Sequence, residues 1–418
     1  MAVKLVLAER ISPPSPCLPE GGEALEQALT NLAGSLNKLR GQRVALAVGS
    51  RGIHQLPALV GKAVEIIRTA GGEPVIFPAM GSHGGGRASG QQAILADLGI
   101  TEAAAGAPVI CNAESTLLGI TGAGCPVYIN PLYKTVDQIV LLNRIKYHTD
   151  FSGETESGLL KMLAIGLGNP RGCRAIHGFA LKEGYVKAIQ EAAGYMLEHL
   201  PVAFGIAVTE NSQGKLDGVE AVMPPDFLAA EKRLLQKVKT GSRGLPVEEL
   251  DVLLVQEIGK NISGTGMDTK VIGRIMVKGQ QEPAEPRIGR IAVLGLTEES
   301  HGNAIGIGLA DITTRQVLAK IDLAATALNS ISSMAPEQGR IPCVAENDKA
   351  ALEGAFLSLG CESPEELDII LIKNTMELER MAISQPLFER LRDRGKVRAI
   401  NEPTELKYDT EGRLLFTF

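Results

Sequence analysis

The feature that most constrains this chain is a set of short apolar runs that are continuous rather than alternating. Each is closed by a glycine-rich loop and followed by a stretch of helical periodicity. RVALAVGS, from Arg43, is closed by Gly49-Ser50-Arg51-Gly52, and residues 55–70 then read as a helix stopped by Gly71-Gly72. Residues 74–79 form a second run, closed by Gly81-Ser82-His83-Gly84-Gly85-Gly86. A helix over 91–98 follows, and APVICN opens a third strand. A strand apolar on both faces must be covered on both, so this succession predicts a parallel sheet between helical layers. In such sheets ligands bind beyond the carboxyl ends of the strands.

A further apolar run, 139–142, delivers Asn143, Arg144, Lys146 and His148 at its end. After it come a Gly/Ser/Glu-rich bend, a short helical segment carrying Lys161, a Gly-Asn-Pro turn, and then Arg174 and His177. Helices over 183–199 and 225–239 flank a strand over 202–209. The polar stretch Thr240-Gly241-Ser242-Arg243-Gly244-Leu245-Pro246 reads as a domain boundary. The alternation then restarts with LDVLLVQ, a loop over 257–268, and a strand over 291–296 whose exit carries His301. A helix over 312–331 is followed by IPCVA, a helix over 348–359 and LDIILIK. A chain of 418 residues exceeds what one core usually supports. The expectation is α/β, with two α/β domains of largely parallel sheet and a cleft between them. The N-terminal domain takes 1–240 and the smaller C-terminal domain 247–400. An extended tail, 401–418, is able to return to the N-terminal domain.

Composition narrows the ligand. With no Trp and 4% aromatics there is little surface on which bases could stack, and a net charge of −6 without a basic run argues against nucleic acid. The six cysteines are scattered without a Cys-x-x-Cys pair, so neither a disulfide framework nor a zinc cage is readable. No stretch reaches the roughly 20 apolar residues of a membrane span. The start, MAVKLVLAERISPP, meets charge too soon for a signal peptide. These features predict a cytoplasmic protein with a small-molecule partner and no nucleic-acid or membrane partner; self-association stays open. Nothing matches G-x-x-x-x-G-K-[ST], and the loop at 81–86 is not G-x-G-x-x-G, so the common nucleotide fingerprints are missing.

Several side chains then stand out. His83 lies in a glycine loop, either as a site residue or as a turn histidine bonded to backbone. Arg51 suits bidentate capture of a carboxylate, or is a solvated surface arginine. His148 follows Arg144 and Lys146, either of which would favour a neutral, basic imidazole; a satisfied structural histidine is the alternative. Lys161, within Leu159-Leu160-Lys161-Met162-Leu163, either snorkels to solvent or is desolvated and nucleophilic. The set suits acid/base work on a small anion without naming a reaction.

At these residues the chain resembles the nickel-dependent lactate racemase family of 2-hydroxyacid racemases and epimerases, over most of its length and most strongly from 44 to 177. Ala79-Met80-Gly81-Ser82-His83 looks like that family's Gly-Thr-His loop. Lys146-Tyr147-His148-Thr149-Asp150-Phe151-Ser152-Gly153 looks like its His-bearing strand end with a Ser/Gly bend. The resemblance implies His83 and His148 as paired acid/bases and Arg51 as carboxylate binder. It further implies a nickel-pincer nucleotide tethered to Lys161, flanked by Ser152 and Gly153, with His177 as nickel ligand. Lys260 and Gln256 resemble substrate-facing groups of the second domain. Partners would be a small hydroxyacid and the cofactor-synthesis enzymes. The bend before Lys161 is longer than the family pattern, and Gly158 falls where uninterrupted spacing would put the lysine; either the bend holds an insertion, which would leave the Lys161–His177 relation intact, or this branch lacks the tethered cofactor.

The implied chemistry explains the residue types. The C–H of a 2-hydroxycarboxylate is poorly acidic, because a second negative charge would develop beside the carboxylate. Removing hydrogen as hydride avoids that, provided a base takes the hydroxyl proton, and inversion needs one base for each enantiomer. Two other readings stay open: a protein of the same fold that binds an anionic metabolite or nucleotide without racemising it, and a cofactor-free hydrolase or lyase using His83 and His148.

Overall fold

The computed structural model describes residues 3–11, 17–30, 32–149, 151–211, 213–241, 244–361 and 363–418. Asp150 of the bend, and Ser242 and Arg243 of the expected boundary, lie outside them. The chain is α/β, with largely parallel sheets, and divides into two compact units. One takes Ser15–His148 and Ser152–Ser242; the other takes Met1–Pro14, Thr149–Phe151 and Arg243–Phe418.

The first unit is built on a five-stranded sheet in the order Glu73–Pro78, Arg43–Val48, Gln138–Arg144, Val202–Glu210, Leu216–Val222. The first four are parallel and the last is antiparallel. Strand residues alternate between faces. Val44, Leu46, Val48, Val140, Leu142 and Ile206 pack with Leu25, Leu56, Val60 and Val64 of the helices Gly21–Thr30 and Leu56–Thr69. The opposite face carries Ala45, Ala47 and Gly205, small residues that let the chain approach closely; a Cβ on Gly205 would meet Leu159 and Phe227. The loops bearing Arg51, His83 and His148 all leave this sheet at its carboxyl edge, as the succession of runs predicts.

Locally the structure departs from the expected elements. APVICN makes an isolated bridge, Ile76 to Val109, and the antiparallel hairpin Thr116–Ile120 with Pro126–Ile129 follows. The Gly-Asn-Pro turn begins a helix, Asn169–Glu183, with Pro170 in its first turn, and Gly184 separates it from Tyr185–His199. Residues 312–331 are not one helix: β-branched Ile312–Thr314 is a strand, followed by Arg315–Lys320 and Leu323–Ser332.

The second unit has a nine-stranded sheet. Cys343–Ala345, Ile312–Thr314, Arg287–Val293, Glu249–Val255 and Ile369–Ile372 run parallel, followed by Arg380–Ser384, Lys4–Arg10 and Val397–Ala399 in antiparallel pairing. Residues 4–10 therefore leave the expected 1–240 domain. Val6 and Ala8 pack with Ile370, Ile383 and Leu391 on one face, and Leu5 packs with Val252 and Leu371 on the other. Within the tail, Thr404–Glu405 pairs with Lys4 and Leu5 of the same unit. Local periodicity cannot report such a pairing, because the partners are hundreds of residues apart in the chain.

Leu5 is 1% exposed. Leu5→Ala is expected to cost about 2–5 kcal/mol in urea unfolding. Hydrogen exchange should quicken in 369–372 and 380–384 while 43–48 keeps its protection; the reverse pattern would assign residues 4–10 to the other unit.

Candidate active site

The segment that carries Lys161 is the centre of the arrangement. A helical turn, Leu159–Lys161, runs into a π-helical stretch, Met162–Gly166, and then the helix Asn169–Glu183 with His177. The π stretch is closed by the Leu167 N–H donating to the Met162 carbonyl. Such bulges shift the register of one helical face and are frequent at functional sites.

Strand-end loops are stitched to this segment. The Gly81 N–H donates to the Gly166 carbonyl at 3.0 Å, and Cys173 Sγ lies 3.6 Å from Ser82 Oγ, next to His83. Gly49, two residues before Arg51, faces Met162 and Asn143, and Asn143 Nδ2 donates to the Gly158 carbonyl at 2.7 Å. Arg51, His83 and Lys161 thus stand on neighbouring pieces of one unit.

The imidazoles are held in different ways. His83 is exposed, and its Nδ1 is 2.8 Å from the Met80 carbonyl. A carbonyl only accepts, so Nδ1 carries the hydrogen and Nε2 the lone pair in the neutral ring. The backbone bond expected of a turn histidine is present, and it fixes the tautomer a base at Nε2 requires. His177 Nδ1 is 3.2 Å from the Tyr185 hydroxyl, with the two rings edge to face. Burial, and then the nearby Lys161 ammonium, push the His177 pKa down to about 4. The imidazole is therefore neutral at pH 7, as ligation needs, and the Lys161 ammonium is close enough for its charge to disfavour the protonated ring.

The cations at the sheet edge form a second group. Arg51 keeps an exposed face, but its charged end is the crowded part: burial and the neighbouring Arg144 guanidinium both lower its pKa. Arg144 pairs with Glu210, which also accepts from the His54 N–H at 2.6 Å.

The lengthened bend is a closed loop. Lys146 and Ser157 exchange backbone bonds of 2.9 and 3.1 Å across its neck. Gly158 has no room for a side chain, since a Cβ there would lie 2.3 Å from Glu231 Oε1 and 2.7 Å from Ile145 Cδ1. No lysine could occupy that position. Gly153 is likewise required by packing, a Cβ meeting Val186 Cγ2 at 2.2 Å, and Ser152 is exposed. Lys260 and Gln256 belong to the other unit. There Lys260 Nζ donates to the Gly264 carbonyl at 2.7 Å, and Gln256 Nε2 to the Phe416 carbonyl at 3.2 Å.

Two carboxylates escape a reading of the sequence. Glu231, 2% exposed on the helix Phe227–Gly241, accepts from the Leu160 N–H at 2.7 Å and from that of Leu159. It caps the turn that carries Lys161. Glu156, 1% exposed, accepts the backbone N–H groups of His148 and Gly153. Charged residues on an amphipathic helix or in a polar bend are ordinarily solvated. Nothing local marks either as buried, although the glycine directly before the Lys161 turn fits a close approach there.

No family model matches the chain, and no curated protein matches it. Among solved structures, the lactate racemase apoprotein from Thermoanaerobacterium thermosaccharolyticum is similar, with a TM-score of 0.51 and 13% identity. The match covers 89% of this chain and 98% of that one. At that identity the likeness shows a shared fold. No helix among the described residues is long and apolar enough to cross a membrane.

Burial raises the Glu231 pKa to about 7. Its carboxyl group binds a proton more tightly folded than unfolded, so its contribution to stability is fullest below about pH 4.3 and is lost as pH rises through 7. At 1.36 kcal/mol per unit the loss is on the order of 3 kcal/mol. Denaturant unfolding of wild type and Glu231→Gln from pH 4.5 to 8 should show this slope in wild type and a flatter profile in the variant. Parallel profiles would remove Glu231 as its source.

Proposed function

We propose that this chain is a racemase or epimerase of a 2-hydroxycarboxylic acid that works with a nickel-pincer nucleotide tethered at Lys161. The observation that carries the reading is the coupling of Lys161 to a neutral His177 along one helical segment, within a fold shared with a lactate racemase over most of both chains. The donor set fits the cofactor. Among the described residues no group of three or more His, Cys, Asp or Glu could hold a metal ion unaided. Nickel would then take the imidazole of His177 together with donors of the nucleotide. In the tautomer whose Nδ1 donates to the Tyr185 hydroxyl, 3.2 Å away, the Nε2 lone pair of His177 would be available to the metal, the usual outer support of a ligating histidine. The amine of Lys161 would form the tether.

When bound, the nucleotide supplies an electrophilic carbon able to accept and return hydride. The remaining work falls to side chains. Arg51 binds the substrate carboxylate and fixes the orientation of the reacting carbon. His83, with its Nδ1 hydrogen committed to the Met80 carbonyl, takes the hydroxyl proton of one enantiomer at Nε2. His148 takes that of the other. When the opposite hand is made the other histidine donates the hydroxyl proton, so each turnover protonates one imidazole and deprotonates its counterpart; exchange with solvent resets the pair and no net proton is consumed.

Protein made alongside the cofactor-synthesis enzymes should carry a mass adduct on Lys161 and stoichiometric nickel. It should interconvert the enantiomers of at least one member of a hydroxyacid panel on chiral chromatography. His83→Ala and His148→Ala should each lose inversion by about 100-fold or more, the usual weight of a general acid/base. An unmodified lysine without nickel would favour binding of an anionic metabolite without racemisation, and full activity of either histidine variant would overturn its assignment as base.

A further inference from the structure

In the bend between His148 and Lys161, residues Gly153, Glu154 and Glu156 are held by lysines of the helix Phe227–Gly241. Lys239 Nζ pairs with Glu156 Oε1 at 2.6 Å and donates to the Gly153 carbonyl at 2.8 Å. Two turns earlier, Lys232 pairs with Glu154 at 2.7 Å. Glu156 has no exposed side-chain surface, whereas Glu154 and Lys232 are near half exposed. The outer pair is worth little, and the inner one holds a charge that has left water.

Every oxygen of that inner carboxylate is used. Oε1 accepts from Lys239 and, at 3.0 Å, from the Gly153 N–H, while Oε2 accepts from the His148 N–H. Glu156 thus ties the backbone of an acid/base candidate to a rigid helix beyond the loop. A loop this long would otherwise leave the imidazole to wander, and displacements of an ångström are costly in catalysis.

We propose that Glu156, braced by Lys239, is the positioning residue that sets His148 in place. The proposal rests on the reading of His148 as an acid/base, but its geometry can be tested without turnover. The variants are Glu156→Gln, Lys239→Arg, and the swap Glu156→Lys with Lys239→Glu. The swap restores an ion pair while offering the His148 N–H no acceptor at position 156, which separates positioning from mere stability.

Hydrogen exchange, histidine imidazole NMR spectra and inversion of a single-enantiomer hydroxyacid by the cofactor-loaded protein are the readouts. In Glu156→Gln, exchange at the His148 and Gly153 amides should quicken about tenfold or more while 43–48 stays protected. The His148 imidazole signals should shift or broaden. Turnover should drop about tenfold or more with KM within about twofold, as befits a group that orients rather than binds. Lys239→Arg should stay near wild type, and the swap should regain thermal stability without regaining His148 protection or turnover. Unchanged His148 protection in Glu156→Gln, or its recovery in the swap, would overturn the proposal. Wild-type protein that inverts no hydroxyacid would remove the racemase reading, and the exchange arm would then decide the clamp by itself.

Discussion

The Glu231 carboxylate lies against the first turn of the segment that bears Lys161, where the Leu159 and Leu160 N–H groups have no partner within the helix. Burying an acid without a counter-charge is unfavourable, and the upward displacement of its proton affinity records that cost. What the contact supplies is definition. The turn can begin only where two amides meet that carboxyl group, and Gly158 must be bare for Glu231 to reach them. The direction in which Lys161 leaves the backbone follows from this, and with it the spacing to His177.

The sheet supplies the other half of the geometry. Parallel pairing of 43–48 with 73–78 and 138–144 puts three loop exits at one edge, so residues nearly a hundred positions apart are neighbours without any local contact in the sequence. The His83 loop is then tied to the Lys161 segment by the Gly81–Gly166 bond, and the end of strand 138–144 reaches its start through the Asn143–Gly158 bond. A rigid frame with short, bonded loops limits the motion of each side chain more than a mobile loop site would.

Much of this was legible in the residues. Continuous apolar runs identified the parallel strands, and glycine-closed exits identified the edge at which Arg51, His83 and His148 lie. The hydrogen-bonded details were not. APVICN has the composition of a strand but pairs through little more than Val109, and Ile312–Thr314 vanished into an apparent helix because the following residues are good helix formers. Glu156 was invisible because its burial depends on the helix Phe227–Gly241, much later in the chain, and Glu231, on that helix, because its burial depends on the turn at Leu159 and Leu160, far earlier. Tyr185 likewise gives no sign of its bond to His177 until two helices are packed side by side.

The strand Lys4–Arg10 lies between Arg380–Ser384 and Val397–Ala399, so residues from both ends of the chain complete one sheet. In topological terms the His-bearing unit is an insertion within the other. During synthesis it has all of its strands in hand while the surrounding unit still lacks most of its own. The order of folding is thereby set by connectivity: the inserted body can mature first, and the strand Lys4–Arg10 must wait for the partners Arg380–Ser384 and Val397–Ala399, made long after it. That waiting edge is a point of vulnerability to mispairing with other chains.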